Sequence, residues 1–271
     1  MEYRELNNGN KIPVLGLGTY LNTKQQDIIK AIETAYQHGI RLIDTAEIYR
    51  NEEQIGNAIK KLNIDRKKLF ITSKVWNSEH GFDTTISSFK RSLENLQTDY
   101  LDLYLIHWPS AEKFIDSWKA MEQLYEQGLI KNIGVSNFHK THLEQLLQTA
   151  KITPAVNQIE LHPYLIQKDL NDFCRQQNIV IESWSPIAKG KVADDYDLLK
   201  IAYTHGKSQV QITLRWHLQN GFISIPKSTN PKHIREFSNV FNFELTEKEM
   251  QIVSNLNKNL RVGPNPDTYN F

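Results

Sequence analysis

The sequence has almost no cysteine and almost no net charge. Its 271 residues include one cysteine, Cys174, so no intrachain disulfide can form, and a reducing compartment fits the composition. Cys174 lies in the helix-like segment LNDFCRQQ, where we expect a small buried side chain. The 32 Lys and Arg residues nearly balance 31 Asp and Glu residues, giving a formal net charge of +1. This balance gives no electrostatic reason to expect nucleic acid or an acidic membrane surface as a partner.

Long apolar runs are also missing. None approaches the roughly 20 residues that a membrane-spanning helix needs. The first residues, MEYRELNNGNKIPVLGLGTY, do not join a basic stretch to an apolar one as a secretory signal does. We therefore expect a cytoplasmic protein without a membrane partner. Because no heptad or apolar stripe is evident, we expect a monomer.

Eight short apolar segments recur along the chain, with amphipathic helical segments between them. They are VLGLGTY, RLIDTA, LFITSKVW, LDLYLIHW, IKNIGVSNF, PAVNQIEL, IVIESWS and GFISIPKS. Their near-continuous apolar character is typical of strands buried on both faces. No Ser/Gly-rich linker divides the chain. The pattern therefore predicts an α/β fold, a (β/α)8 TIM barrel, forming one domain over residues 1–271.

Local signals mark the ends of these elements. The segment YRELNNGNKIP predicts a β-hairpin that turns at Asn8-Gly9 and caps the bottom of the barrel. The helical segment TKQQDIIKAIETAYQHG has one apolar face and ends at Gly39. Three helix starts carry the spacing of a capping box: Thr141 with Glu144, Ser208 with Gln211, and Thr246 with Glu249.

A doubly wound nucleotide-binding sheet is the competing α/β architecture. It normally shows G-x-G-x-x-G at the first strand-to-helix turn. Here Gly16-Leu17-Gly18 is followed by Thr19, Tyr20 and Leu21, and the third glycine is missing. The barrel is the better prediction.

In such a barrel the chemistry lies at the C-terminal ends of the strands. The second strand ends at Asp44, with Tyr49 in its loop, the third ends near Lys74, and the fourth ends at His107. Each residue alone has an ordinary structural explanation as a turn, surface or core residue. Together they place an acid, a phenol, an amine and an imidazole on three consecutive strands, which lie roughly 5 Å apart.

These four groups predict a site that polarises a carbonyl. A phenol has a pKa near ~10 in water, and a neighbouring ammonium lowers it. Lys74 can supply that charge, Asp44 can hold Lys74, and His107 can donate a hydrogen bond to a carbonyl oxygen. Because the set contains no carbon nucleophile and no metal cluster, hydride must come from a cofactor.

The sequence resembles the aldo-keto reductase family along nearly its whole length. The segments DTAEIYRNEEQIG, ITSKVW, LDLYLIHWP, GLIKNIGVSNF, AVNQIELHPY, ESWSPIA and IPKST occur in the family's order. The C-terminal RVGPNPDTYNF resembles short bacterial members described as glyoxal/methylglyoxal or 2,5-diketo-gluconate reductases. The resemblance implies a (β/α)8 barrel that binds NAD(P)H, with Tyr49 as general acid in a tetrad with Asp44, Lys74 and His107.

The resemblance also implies cofactor contacts. Those near the nicotinamide would be Asp44, Ser136, Asn137 and Gln158, with Trp184 stacked under the ring. Gly18, Thr19 and Tyr20 would lie against cofactor and substrate, and Ser185, Ile187 and Ala188 along the pyrophosphate. The adenosine end would meet Lys227, Ser228, Thr229, His233 and Glu236. His233 stands where many NADPH-specific members have Arg, and Phe237 where an Asn often occurs. We expect NADPH because Lys227 remains, with NADH use also possible because neutral His lacks the fixed charge of Arg.

The expected substrate is a small carbonyl compound. Tyr20, Tyr49, Trp76, His107 and Trp108 would form the pocket walls. The short loop after the fourth strand and the short C-terminal tail favour methylglyoxal, glyoxal and aliphatic or aromatic aldehydes. Two alternatives carry less support: a cofactor-binding regulatory or structural barrel, and a metal-dependent hydrolase using His107 and His162. The intact tetrad opposes the first, and the lack of close His-x-His spacing opposes the second.

Overall fold

The structure is a computed structural model that describes residues 2–110 and 113–269. The chain opens with an antiparallel hairpin of β1 (Tyr3–Glu5) and β2 (Lys11–Pro13). Gly9 takes a φ of +83° at its turn, a conformation that glycine adopts at little cost. Leu6 and Ile12 of this hairpin are buried in one apolar cluster with Leu42 and Leu103, which begin barrel strands. The hairpin therefore closes the bottom of the barrel, as predicted.

Eight parallel strands follow, one in each predicted segment, and every neighbouring pair is consecutive in the chain. They are β3 (Gly16–Gly18), β4 (Leu42–Asp44), β5 (Phe70–Val75), β6 (Leu103–Ile106), β7 (Ile133–Ser136), β8 (Val156–Glu160), β9 (Val180–Trp184) and β10 (Ile223–Ser224). Bridges between Leu15 and Ser224 and between Gly18 and Lys227 join the first strand to the eighth. The sheet thereby closes on itself, which confirms the (β/α)8 prediction.

Ten α-helices surround this sheet in the part of the chain that the structure describes. They are α1 (Gln25–Gln37), α2 (Glu52–Lys61), α3 (Phe82–Leu96), α4 (Phe114–Glu126), α5 (Lys140–Leu147), α6 (Lys168–Gln176), α7 (Tyr196–His205), α8 (Gln209–Gln219), α9 (Pro231–Ser238) and α10 (Glu247–Ser254). The main core lies between helices and strands and includes Phe89, Trp118 and Phe138. None of the described helices is long and apolar enough to cross a membrane.

Two of the three predicted capping boxes are confirmed, at Ser208 of α8 and Thr246 of α10. The third, from Thr141 to Glu144, is wrong. Helix α5 already begins at Lys140 with His139 as its N-cap, and the His139 backbone N–H donates to His142 Nδ1 at 3.1 Å. Thr141 therefore lies inside the helix, where its hydroxyl cannot take the N-cap role.

Candidate active site

The four predicted catalytic side chains gather at one end of the barrel. Asp44 ends β4, Lys74 lies near the end of β5, and His107 directly follows β6. Tyr49 ends a short helical turn, Glu47–Tyr49, that follows β4. Parallel pairing of β4, β5 and β6 brings these strand ends side by side. The C-terminal mouth of the barrel is therefore the candidate site.

A buried ion pair forms the base of this site. Lys74 Nζ donates to Asp44 Oδ1, Asp44 Oδ2 and the Thr45 carbonyl, each at 2.8 Å. Lys74 is 0% exposed and Asp44 is 3% exposed. All three ammonium hydrogens are thus satisfied, which compensates for taking the charge out of water. Asp44 holds Lys74 in a fixed position.

Tyr49 lies over this pair. Lys74 Nζ is 5.2 Å from the centroid of the Tyr49 ring, and the ring centroids of Tyr49 and His107 are 5.6 Å apart. The pKa of Tyr49 is raised well above its ordinary value, first by burial and then by the negative charge of Asp44. The sequence predicts that Lys74 lowers the pKa of Tyr49, and the direction found in the structure is the opposite. Burial and the Asp44 carboxylate outweigh the Lys74 ammonium, so the phenol keeps its proton at neutral pH.

His107 is a neutral imidazole. Burial, followed by the charge of Lys74, lowers the pKa of His107 well below its ordinary value. Its backbone is fixed on both sides, since His107 N donates to the Val75 carbonyl at 3.1 Å and its carbonyl accepts from Asn137 Nδ2 at 2.9 Å. A neutral ring has one N–H donor, which suits hydrogen bonding to an oxygen.

A second buried carboxylate lies beside the tetrad. Gln158 Nε2 donates to Asp44 Oδ2 and to Glu182 Oε2, both at 2.7 Å. Gln158 and Glu182 are register partners on β8 and β9, and Glu182 is 0% exposed. Burial, and then the charge of Asp44, raise the pKa of Glu182 to about 8. Glu182 is not among the residues predicted from the sequence, although a glutamate inside the apolar run IVIESW is a usable signal.

The residues predicted to hold the nicotinamide end are joined by hydrogen bonds. Trp184 Nε1 donates to Asn137 Oδ1 at 2.8 Å, and Ser136 Oγ donates to the Gln158 carbonyl at 2.9 Å. Asn137 and Ser185 have φ angles of 63° and 48°, in the left-handed region that non-glycine residues rarely occupy. Such backbone strain is often found at functional sites.

The remaining predicted contacts of this part also lie at the mouth. Gly18 and Thr19 follow the course of β3 to the mouth, where Thr19 Oγ1 donates to the Asp44 carbonyl at 2.9 Å. A Cβ on Gly18 would lie 2.8 Å from the Ile225 carbonyl oxygen, so glycine is needed for this close approach. Ile187 and Ala188 begin a short helical segment after β9, where Ala188 has a φ of 48°.

The predicted adenosine end lies between β10 and α9. Lys227 is exposed and pairs with Gly18, while Ser228 Oγ lies 3.4 Å from His233 Nδ1. Thr229 is half-buried and immediately precedes the N-cap of α9, Asn230. Glu236 lies further along α9, and its carboxylate accepts a hydrogen bond from Ser208 Oγ of the neighbouring helix start.

Aromatic rings line the predicted substrate pocket. The ring centroids of Tyr20 and Tyr49 are 5.0 Å apart, and those of Trp76 and His107 are 5.1 Å apart. The ring centroids of Trp108 and of Tyr269, in the C-terminal tail, are 5.7 Å apart. The C-terminal tail therefore reaches the mouth of the barrel.

Glu160 anchors that tail. Its carboxylate accepts from Val262 N at 2.5 Å and Gly263 N at 3.1 Å, and it lies 3.0 Å from His162 Nε2. Arg261 Nη1 lies 3.9 Å from the same carboxylate. His162, a metal ligand in the hydrolase alternative, is thus a hydrogen-bond partner of Glu160. Among residues 2–110 and 113–269, no group of three or more His, Cys, Asp and Glu side chains is arranged to hold a metal ion.

Comparisons with known proteins find relatives of this chain in both sequence and structure. The sequence model of the Aldo/keto reductase family matches residues 14–258. Glyoxal reductase of Bacillus subtilis is 49% identical over 267 residues, covering 98% of this chain and 97% of that protein. Methylglyoxal reductase DkgA of Escherichia coli K12 is 41% identical over 269 residues, covering 98% and 97%. A crystal structure of a Gox0644 mutant in complex with NADPH superposes with a TM-score of 0.94 at 39% identity, covering 100% of this chain and 99% of that one.

The fold and the site thus define an oxidoreductase built on a (β/α)8 barrel. The chain belongs to the aldo/keto reductase family.

Proposed function

We propose that this protein is an NADPH-dependent reductase of small aldehydes and ketones, with Tyr49 as its general acid. The observation that carries the proposal is the buried Asp44–Lys74 pair beneath Tyr49, with His107 beside the same ring. None of these four side chains can deliver a hydride to the carbonyl carbon. Bound NADPH would supply the hydride, and the chain's own side chains would bind and protonate the carbonyl oxygen.

Each member of the tetrad has a separate task. Tyr49 holds its proton at neutral pH and is the acid that gives it to the developing alkoxide. Lys74, fixed by Asp44, places a positive charge near the phenolate that this transfer leaves behind. His107, as a neutral imidazole, donates a hydrogen bond to the carbonyl oxygen and orients it toward Tyr49.

The residues at the mouth fit a nicotinamide cofactor in its extended form. Trp184, tethered by Asn137, offers an aromatic platform, and Gln158 and Ser136 offer polar groups for a carboxamide. At the other end, the exposed Lys227 and the buried Ser228 lie beside the N-terminus of α9, where backbone N–H groups favour a phosphate. We propose that NADPH is preferred, and that NADH is accepted because His233 replaces a permanent cation.

The substrates are small. The aromatic walls and the tail that reaches Trp108 suit compact, flat carbonyl compounds such as methylglyoxal, glyoxal and simple aldehydes. The names of the glyoxal and methylglyoxal reductases that this chain resembles support the same choice. We propose that the protein works as a cytoplasmic monomer, formed as a single domain over residues 1–271, without nucleic acid or membrane partners.

The test is the fall in absorbance at 340 nm with methylglyoxal, measured with NADPH and NADH side by side. We expect NADPH to be oxidised faster than NADH, with measurable NADH turnover. Equal rates would contradict the cofactor preference and leave the reductase function intact. If neither cofactor is oxidised with methylglyoxal, glyoxal or a panel of aldehydes, the reductase function is wrong, and tight NADPH binding would then favour a cofactor-binding regulatory barrel.

A further inference from the structure

Glu182 is a buried carboxylate that the tetrad does not use. It lies on β9, is 0% exposed, and has one oxygen, Oε2, bonded to Gln158 Nε2 at 2.7 Å. Its other oxygen, Oε1, is buried without a hydrogen-bond partner among the described residues. The same Gln158 nitrogen also donates to Asp44 Oδ2 at 2.7 Å. One amide thus links the catalytic ion pair to a second acid.

The charges around Glu182 are few. Asp44 and Lys74 act on it across the barrel interior, and it acts in turn on Tyr49. On the neighbouring strands its register partners are Gln158 and Ile223, which are uncharged. Helix α6 packs on β9, and its charged residues Lys168, Asp169, Asp172 and Arg175 are exposed or half-buried, while its Cys174 thiol is buried.

We propose that Glu182 is a positioning residue that carries a proton at neutral pH, fixes the amide of Gln158 beside the catalytic ion pair, and impairs reduction when it ionises. The proposal rests on the proposed reductase function, and it adds a residue that acts through Gln158 and Tyr49.

The hydrogen-bond inventory explains why Glu182 holds a proton. The Lys74 ammonium is fully used by Asp44 and Thr45, so no cation is left to pair with a second carboxylate. An ionised Glu182 would be a buried charge beside Asp44 with only an amide hydrogen as compensation. Burial and Asp44 accordingly raise the pKa of Glu182 to about 8.

The same contacts explain how Glu182 positions Gln158. Both hydrogens of Gln158 Nε2 are directed to acid oxygens, which assigns the orientation of the amide. Removing Glu182 would release one of the two bonds that prevent the amide from rotating.

Ionisation of Glu182 acts on the acid of the reaction. Negative charge on Glu182 raises the pKa of Tyr49, because a second anion nearby disfavours the phenolate. Proton donation by Tyr49 should then slow as the pH passes about 8. We therefore expect kcat/KM to fall as the pH rises.

The experiment compares the pH profiles of kcat/KM for wild type and Glu182→Gln, each normalised to its own value at pH 6.5. Gln keeps an oxygen acceptor for Gln158 but cannot ionise. For wild type we expect a fall of up to about tenfold by pH 9, which is one unit above the pKa of Glu182. For Glu182→Gln we expect a fall of less than about twofold. Glu122→Gln is the matched control. Glu122 is also buried, but its carboxylate accepts hydrogen bonds from Trp118 Nε1 and from the backbone N–H groups of Lys151 and Ile152.

An equal alkaline fall in wild type and Glu182→Gln would overturn the proposal. If Glu122→Gln also flattens the profile, the effect is a general one of buried carboxylates, which would overturn it as well. A third variant, Glu182→Ala, removes the acceptor, and we expect it to bind NADPH about five- to tenfold more weakly by fluorescence titration. Unchanged NADPH binding in Glu182→Ala would contradict the positioning role.

A readout without turnover separates this proposal from the reductase function. In wild-type protein labelled with ¹³C at the glutamate carboxyl carbons, we expect one resonance to titrate near pH 8, and it should be absent from Glu182→Gln. This measurement on wild type needs no variant to fold. If no glutamate titrates above pH 7, Glu182 does not hold the proton. If the resonance titrates near pH 8 but wild type reduces no carbonyl compound, the reductase function fails while the protonation of Glu182 stands.

Discussion

Gly263 of the C-terminal tail packs directly against the indole of Trp184. A Cβ on Gly263 would overlap Trp184 Cη2 and lie 2.9 Å from Trp184 Cζ3. The tail is fixed in this position because Glu160 binds the N–H groups of Val262 and Gly263. The far edge of Trp184 is tethered to Asn137. The proposed platform for the nicotinamide ring is therefore held from both sides, once by the barrel and once by the tail.

Gly263→Ala should disturb this platform. Gly263 is not among the glycines with positive φ, so the added methyl group acts by its contact with Trp184 and not through backbone strain. We expect NADPH to bind at least about tenfold more weakly, because the indole must shift or the tail must leave Glu160. Fluorescence titration with NADPH measures the change.

Val262→Ala is the control for Gly263→Ala. It alters the neighbouring tail residue but keeps the backbone N–H that Glu160 binds. We expect NADPH affinity within about twofold of wild type. If Gly263→Ala and Val262→Ala have the same affinity as wild type, the tail does not position Trp184.

Tyr49→Phe tests the general acid. The substitution removes only the hydroxyl, so the ring contacts with Tyr20 and His107 remain possible. We expect kcat to fall by at least about a hundredfold, the usual contribution of a general acid, while NADPH binding stays within about threefold. Stopped-flow or steady-state oxidation of NADPH with methylglyoxal measures the first quantity and fluorescence titration the second. Near-normal turnover in Tyr49→Phe would show that another group donates the proton.

Removing one member of the Asp44–Lys74 pair should lower the free energy of unfolding more than removing both charges. Lys74→Met leaves Asp44 buried without its cation, and we expect a loss of about 3–5 kcal/mol in the free energy of unfolding. The double variant Asp44→Asn, Lys74→Met removes both charges and should recover part of that loss. Urea denaturation measures both. Both proteins should lack reductase activity, because Tyr49 loses its neighbouring cation. A double variant no more stable than Lys74→Met would argue against a buried ion pair.

His233→Arg tests the basis of the cofactor choice. His233 Nδ1 lies 3.4 Å from Ser228 Oγ, and Lys227 is close in the chain. A guanidinium introduced at this position could bind a phosphate. We expect the ratio of kcat/KM for NADPH over NADH to rise about tenfold, since a charge-assisted hydrogen bond contributes about 1.5 kcal/mol or more. The NADH value serves as an internal control and should change little. A ratio that does not rise would place the 2′-phosphate away from His233.

The buried His80 should make the stability of the fold sensitive to acid. Its ring is buried and bonded to Ser110 Oγ at 2.5 Å, and burial, with a smaller effect of Lys113, lowers the pKa of His80 to about 4. Between about pH 6.5 and pH 4 the unfolded chain binds a proton here and the folded one does not, so stability falls as the pH drops through this range. Relative to His80→Gln, wild type should lose about 2 kcal/mol between pH 7 and pH 5. Urea unfolding at the two pH values checks this, and a pH-independent difference would show that His80 ionises equally in both states.

The strands and the hairpin were predictable because their signals are local. An apolar run such as LDLYLIHW or a turn at Asn8-Gly9 specifies its own conformation through burial and backbone preference. The cap at Thr141 was mispredicted for a related reason. A local pattern cannot tell which of two adjacent residues begins a helix when His139 and His142 provide a competing cap.

By itself the sequence determined the barrel and the positions of Asp44, Tyr49, Lys74 and His107 at its strand ends, because strand order follows chain order and every strand ends at the same face. Tertiary structure alone decided the protonation of this cluster and the contacts of the tail. The pKa of Tyr49 depends on burial and on the Asp44 carboxylate, and Gln158 meets Asp44 across 114 positions of sequence. Glu160 meets the tail across 102 positions. Such contacts depend on the shape of the whole barrel, which no short segment of the sequence contains.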